Sequence, residues 1–126
     1  MAFKSLLQLW QSEKFPSSWI IGTSNLASTL TEVTKFAEHI LSAPSDLPIE
    51  NNPDFRIIQR EKNTSGELTK FIAVDQIRSL QNFLNTTNTL SKYKIAIIEQ
   101  ADLMNINASN CCLKILEDTP KNSFIF

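Results

Sequence analysis

Hydrophobic positions along the chain fall into short unbroken runs that alternate with helical stripes. Residues 95–98 are continuously apolar, the pattern of a parallel strand covered on both faces, and the polar Glu99, Gln100 and Asp102 follow at its C-terminal end. Open α/β sheets place their ligands at that end. Beyond the loop, Asn107 is positioned to cap a helix whose apolar Ala108, Cys111, Cys112, Ile115 and Leu116 recur at helical spacing. Asp118, Thr119 and Pro120 stop it, because proline cannot continue a helix, and 123–126 reads as a second buried strand.

The rest of the chain repeats this alternation. Leu6, Leu7 and Trp10 predict a helix over 3–14, ended by Phe15-Pro16 before a strand at 19–21. Leu26, Leu30, Val33, Phe36, Ala37, Ile40 and Leu41 form the strongest stripe, a helix of about four turns. Residues 42–53, with three prolines and scattered Asn, Asp and Glu, predict an exposed connection. Segments 55–59 and 70–74 are β-rich and flank a polar stretch, 61–67, in which Asn63, Thr64, Ser65 and Gly66 suit a turn. A hairpin or two neighbouring strands would fit. Asp75 then caps a helix bearing Ile77, Leu80 and Leu84, and 86–91 links it to the strand at 95–98. Strands alternating with helices predict an α/β fold with a doubly wound, mostly parallel sheet.

Composition sharpens the picture mainly by exclusion. A chain of 126 residues makes one domain, and with 42% apolar residues and a net charge of −1 it signals neither disorder nor bulk attraction to DNA. Any nucleic-acid contact is expected to be local and weak or indirect. The amphipathic start, in which Gln8 and Gln11 interrupt Phe3, Leu6, Leu7, Leu9 and Trp10, fits neither a signal peptide nor a membrane span, and a cytoplasmic location is expected. Cys111 and Cys112 are helix neighbours pointing about 100° apart, too divergent for a disulfide, and read as small core residues. His39, the only histidine, reads as a surface residue.

The segment 101–120 resembles the clamp-loader branch of the AAA+ ATPases, in particular its bacterial DNA polymerase III delta prime subunits. There a Walker B strand leads into an "ADxMNxxAxNxLLKxLEEPP" helix, matched here by Ala101, Asp102, Met104, Asn105, Ala108, Asn110, Leu113, Lys114, Leu116, Glu117 and Pro120. VDQIRSLQNFL at 74–84 is similar to that family's "IDQIREL" helix, and FPSSWIIG at 15–22 to the segment before its P-loop. The resemblance implies a P-loop NTPase fold of AAA+ type and ring partners of gamma/tau-like and delta-like kind.

A working P-loop, G-x-x-x-x-G-K-[ST], uses glycines so the backbone can wrap phosphates, lysine for their charge and a hydroxyl for magnesium. The matching register here reads GTSNLAST. Gly22 and Thr29 keep the first glycine and the hydroxyl; Ala27 replaces the second glycine and Ser28 the lysine. Helix-end amides alone offer a phosphate about 1 kcal/mol, against several from a partly desolvated cation. Lys35 lies about 10 Å further along the helix and is no substitute. The resemblance puts Glu99 at the magnesium-binding aspartate and Gln100 at the glutamate that activates water; a carboxamide accepts no proton. On the residues alone, the same stretches also read as a strand-to-helix turn capped by Thr23, Ser24 or Asn25, and as polar residues at a sheet edge. Delta prime subunits in general hydrolyse no ATP, so the resemblance implies a decayed, degenerate nucleotide site at Gly22, Ala27, Ser28, Thr29, Glu99 and Gln100, with no catalytic residue and no cofactor.

Many relatives carry a four-cysteine zinc module after the P-loop helix. Residues 42–55 contain no cysteine and have Asn52-Pro53-Asp54 where "HPD" often follows, so no metal is expected. Arg78 is the basic residue singled out for subunit or DNA contact, with a solvated helix charge as the alternative. Lys114 and Glu117, one turn apart, are spaced to pair. By the family's pattern the chain is a single AAA+-like N-terminal domain, 1–126, ending inside the sensor 1 strand before the "SRC" motif, helical lid and collar. That would make it an excised domain or a shortened gene product. An unpaired sheet edge and thinly covered apolar faces around Ile95, Ile97 and Phe124 predict self-association. The function so implied is a non-hydrolysing, delta prime-like clamp-loader subunit; the alternatives are an active AAA+ ATPase such as a gamma-like loader subunit, or a structural remnant with no replication role.

Overall fold

The structure, a computed structural model, describes residues 2–12, 15–41, 47–86 and 90–126. Helix α1 (Ala2–Gln11) is followed by α2 (Leu26–Leu41), strand β1 (Phe55–Ile58), α3 (Val74–Asn85), β2 (Lys94–Ile98), α4 (Ile106–Glu117) and β3 (Ser123–Ile125). The strands form a parallel sheet ordered β1-β2-β3, with Phe55 opposite Ile95 and Ala96 opposite Ile125. Crossovers therefore run through α3 and α4, as the alternating pattern predicts.

Strand periodicity divides the core into two layers. Ile95 and Ile97 of β2, with Phe55 and Phe124, point to one face and pack on Leu6, Val33, Phe36, Ala37 and Ile40. Ala96, with Ile58 and Ile125, points to the other and packs on Ile77, Leu80, Ala108, Cys112 and Ile115. The sheet is thus doubly wound, α1 and α2 on one side and α3 and α4 on the other. Fully burying each of Phe36, Ile77, Leu80 and Ile95 contributes about 1.5–3 kcal/mol. On the α1 side an aromatic cluster locks α1 to the sheet: Trp10 meets Phe15, Phe36, Tyr93 and Phe124 edge-on, with centroids 5.0–6.1 Å apart.

Several expectations shift. Helix α1 ends at Gln11, and residues 13 and 14 of the expected helix lie outside the described residues. The expected strand at 19–21 is reduced to a single parallel bridge, Ser18 to Ile125: the Trp19 amide donates to the Ile125 carbonyl (2.9 Å) and the Ile125 amide to Ser17 (2.8 Å). Ile20 is 98% exposed, and among the described residues the pairing goes no further. Residues 70–74 form no strand; Ile72 alone bridges Met104, and Val74 already starts α3. The turn at 63–66 is present, with Gly66 at φ 86°, but it closes a tight reversal between Lys62 and Leu68 rather than joining 55–59 to 70–74. Within the expected exposed connection, 42–46 lies outside the described residues, and Asn52 is buried behind a 3-10 turn at Ile49–Asn51. Ile95, Ile97 and Phe124 are buried under α1 and α2, which removes the apolar-face argument for self-association.

Two helix caps each move by two residues. Asn105, not Asn107, caps α4, its side chain accepting from the Ala108 amide at 2.8 Å. Ala73 precedes α3, and the Gln76 side chain folds back to accept from the Ala73 amide at 3.0 Å, while Asp75 sits inside the first turn. The ion pair found among the described residues joins Arg78 to Asp75; Lys114 and Glu117 do not pair.

Candidate functional site

The sheet register fixes where the two segments singled out in the sequence leave the strands. Ser18, Ile125 and Ala96 lie at one level, and Glu99 follows β2 at the sheet's C-terminal rim; beyond Trp19 no backbone pairing among the described residues ties the path to Gly22 to the sheet. The two paths are separated by β3, about 10 Å across two strand spacings. Ala27, Ser28 and Thr29 occupy the first turn of α2. The structure gathers Gly22 to Thr29 in one loop and helix start, and Glu99-Gln100 at the end of β2.

The local chemistry of the 22–29 loop is turned inward. Asn25 caps α2, its carboxamide oxygen accepting from the Ser28 amide at 3.1 Å. The Thr23 hydroxyl accepts from the Asn25 amide at 3.0 Å and from the Thr29 hydroxyl at 2.7 Å, and donates to the Asn25 carbonyl at 3.1 Å. Helix α2 starts at Leu26, so Leu26 and Ala27, which a phosphate loop would keep in its wrap, are already helical. Gly22 is open: a Cβ there would meet nothing within 4 Å, and its backbone is not among those at positive φ. Ser28 is exposed and carries no charge.

Across β3, the Glu99 amide donates to the Ile58 carbonyl at 2.8 Å, fixing the end of β2 against β1. Gln100 sits in the left-handed region, φ 55° and ψ 58°, and its carbonyl accepts from the Leu103 amide at 2.9 Å to open a 3-10 turn at Ala101–Leu103. A non-glycine residue in that region costs about 1 kcal/mol or more.

Arg78 stands apart from the rim. It lies on α3, on the sheet face opposite α2, beside a groove of about 640 Å³ shared with α4 and lined by Gln81, Asn82, Asn107, Asn110 and Lys114. Its Asp75 partner, at 3.2 Å, is exposed like itself, so the pair holds it only weakly.

Sequence reasoning missed two buried charges. Lys94, the first residue of β2, is 1% exposed; its ammonium donates to the Phe83 carbonyl (2.6 Å), the Thr86 hydroxyl (2.7 Å) and the Thr86 carbonyl, and lies over the Phe83 ring. These carbonyls end α3, where a cation is favoured. Burial pushes the Lys94 ammonium below the usual lysine range, and Asp54 opposes that shift. Asp54, fully buried before β1, accepts from the Leu90 and Ser91 amides at 2.8 and 2.7 Å. The available signal was position: Asp54 stands just before β1 and Lys94 opens β2. Cys111 and Cys112 are free thiols, and burial, reinforced by Cys111, pushes the Cys112 thiol up. No described helix is long and apolar enough to cross a membrane.

Known proteins give this geometry a lineage. A family model described as "DNA polymerase III, delta subunit" matches residues 2–126. DNA polymerase III subunit delta' of Pseudomonas aeruginosa is 39% identical over 67 residues, covering 53% of this chain and 19% of that protein. A crystal structure of a DNA polymerase III gamma subunit-related protein from Thermotoga maritima has the same fold, with a TM-score of 0.76 and 23% identity over 98% of this chain and 37% of that one. The chain therefore spans well under half the length of either relative. Because the family model matches residues 2–126, nearly the whole chain, the chain belongs to the DNA polymerase III, delta subunit family.

Proposed function

We propose that this chain is the AAA+-like N-terminal domain of a delta prime-like clamp-loader subunit, cytoplasmic and active through protein contacts rather than ATP turnover. Its neighbours would be gamma/tau-like and delta-like subunits that use ATP to place a sliding clamp on primed DNA. One observation carries the reading: at the rim where a phosphate would sit, Ser28 replaces the cation and the loop's donors bond one another. Gln100 supports it, since its carboxamide cannot take a proton from an attacking water. Calorimetric titration of the purified chain with ATP and magnesium is expected to give no saturable heat. Micromolar binding would instead favour an active gamma-like ATPase.

The protein contact falls, on this proposal, at the groove between α3 and α4, where Arg78 and Lys114 place two cations and the lining holds no carboxylate. The exposed Arg78 is held only by a weak surface pair and is free to exchange partners. Reversing its charge, Arg78→Glu, is expected to weaken capture of a gamma/tau-like subunit roughly tenfold at low salt, an effect that shrinks at high salt. Unchanged capture would move the contact elsewhere.

A further inference from the structure

The loop at 22–29 lacks more than a lysine. The Thr23 hydroxyl has one proton to give and two lone pairs, and all three are engaged, by the Asn25 carbonyl, the Asn25 amide and the Thr29 hydroxyl. Thr29 keeps the hydroxyl that the P-loop register assigns to magnesium, yet its proton points to Thr23 at 2.7 Å. The Ser28 amide, which would face a phosphate, is taken by the Asn25 carboxamide, and the Thr29 amide by the Asn25 carbonyl at 3.1 Å. Helix α2, starting at Leu26, shortens the segment left to wrap a ligand.

We infer that Thr23 and Asn25 form a latch, an internal substitute for phosphate that keeps the loop closed even where the missing charge is restored. This rests on the non-nucleotide reading above and adds a second, conformational barrier to it. A phosphate reaching the Asn25 or Ser28 amide must displace the Thr23 hydroxyl or the Asn25 helix cap, whereas in an open loop those two amides wait unpaired.

The test separates charge from latch. Ala27→Gly with Ser28→Lys restores the glycine and the cation; a second protein adds Thr23→Val, which keeps the shape and removes the hydroxyl, and a third adds Asn25→Gly as well. Each is titrated with ATP and magnesium, and its thermal melt confirms folding. If Asn25→Gly destabilises α2 too far, the Thr23→Val protein alone decides the matter. The latch predicts that Thr23→Val tightens binding roughly tenfold over the charge-restored protein. It also predicts faster hydrogen exchange at the Asn25 amide in the single variant Thr23→Val, without nucleotide. Equal affinity with and without Thr23, including no binding by either, overturns the latch. ATP bound by the unaltered chain would overturn the functional reading itself, a different outcome.

Discussion

The chain's two glycines stand in opposite situations. At Gly22 the backbone is not left-handed and a methyl group would meet nothing. Gly66, at φ 86°, closes the reversal between Lys62 and Leu68 in a conformation that side chains resist. Gly22→Ala is therefore expected to leave stability unchanged or raise it by up to about 1 kcal/mol, by narrowing the unfolded ensemble. Gly66→Ala is expected to lower it by about 1 kcal/mol or more. Urea melts of the two variants read both signs at once, and a destabilised Gly22→Ala would show that the loop needs a conformation glycine alone supplies. Gly66 was legible in the sequence because Asn-Thr-Ser-Gly is turn chemistry. Gln100, the residue held left-handed at the rim, left no such mark, since glutamine has no preference for that region and only the fold imposes it.

Elements were read best where hydrophobic pattern and tertiary cover agree. Strands β2 and β3 were visible as apolar runs because both of their faces are covered, and α2 because its stripe meets the sheet along four turns. Residues 70–74 misled for the opposite reason: Phe71 and Ile72 have β-forming side chains, but Ile72 alone finds a backbone partner, on the loop before α4. Caps were misplaced because several candidates stand within two residues of each helix start, and composition does not say which carboxamide reaches an amide. At α4 the choice is testable. Asn105→Ala removes the acceptor of the Ala108 amide and is expected to cost about 1 kcal/mol, whereas Asn107→Ala, exposed in the first turn, is expected to stay within about 0.5 kcal/mol. Chemical denaturation of the pair decides it; equal losses would return the cap to Asn107 or share it between the two.

At the scale of the whole molecule, the layers are joined by charge as well as by packing. Asp54 before β1 holds the amides of Leu90 and Ser91, and Lys94 at the head of β2 holds the end of α3, so the connection from α3 to β2 is gripped at both ends by buried ions. No hydrophobic period announces such a pair, which is why the sequence left it unseen. Lys94→Met keeps the stem but drops three hydrogen bonds, leaving the buried α3 carbonyls without their donor; a loss of about 3 kcal/mol is expected. The pH dependence follows from the direction of the Lys94 shift. Burial lowers its folded value, so the unfolded chain, titrating near 10.4, binds the proton more tightly. The penalty for burying the ammonium is fully present below the folded value and is relieved as pH rises toward the unfolded one. The stability advantage of the unaltered chain over Lys94→Met is therefore expected to grow with pH across that alkaline window. Adding Asp54→Asn removes the influence that raises the Lys94 value, so in that background the growth begins at lower pH. Urea midpoints of the three proteins from neutral pH to the alkaline limit measure this, and a gap between the unaltered chain and Lys94→Met that stays flat with pH would mean that the buried ammonium keeps its ordinary proton affinity.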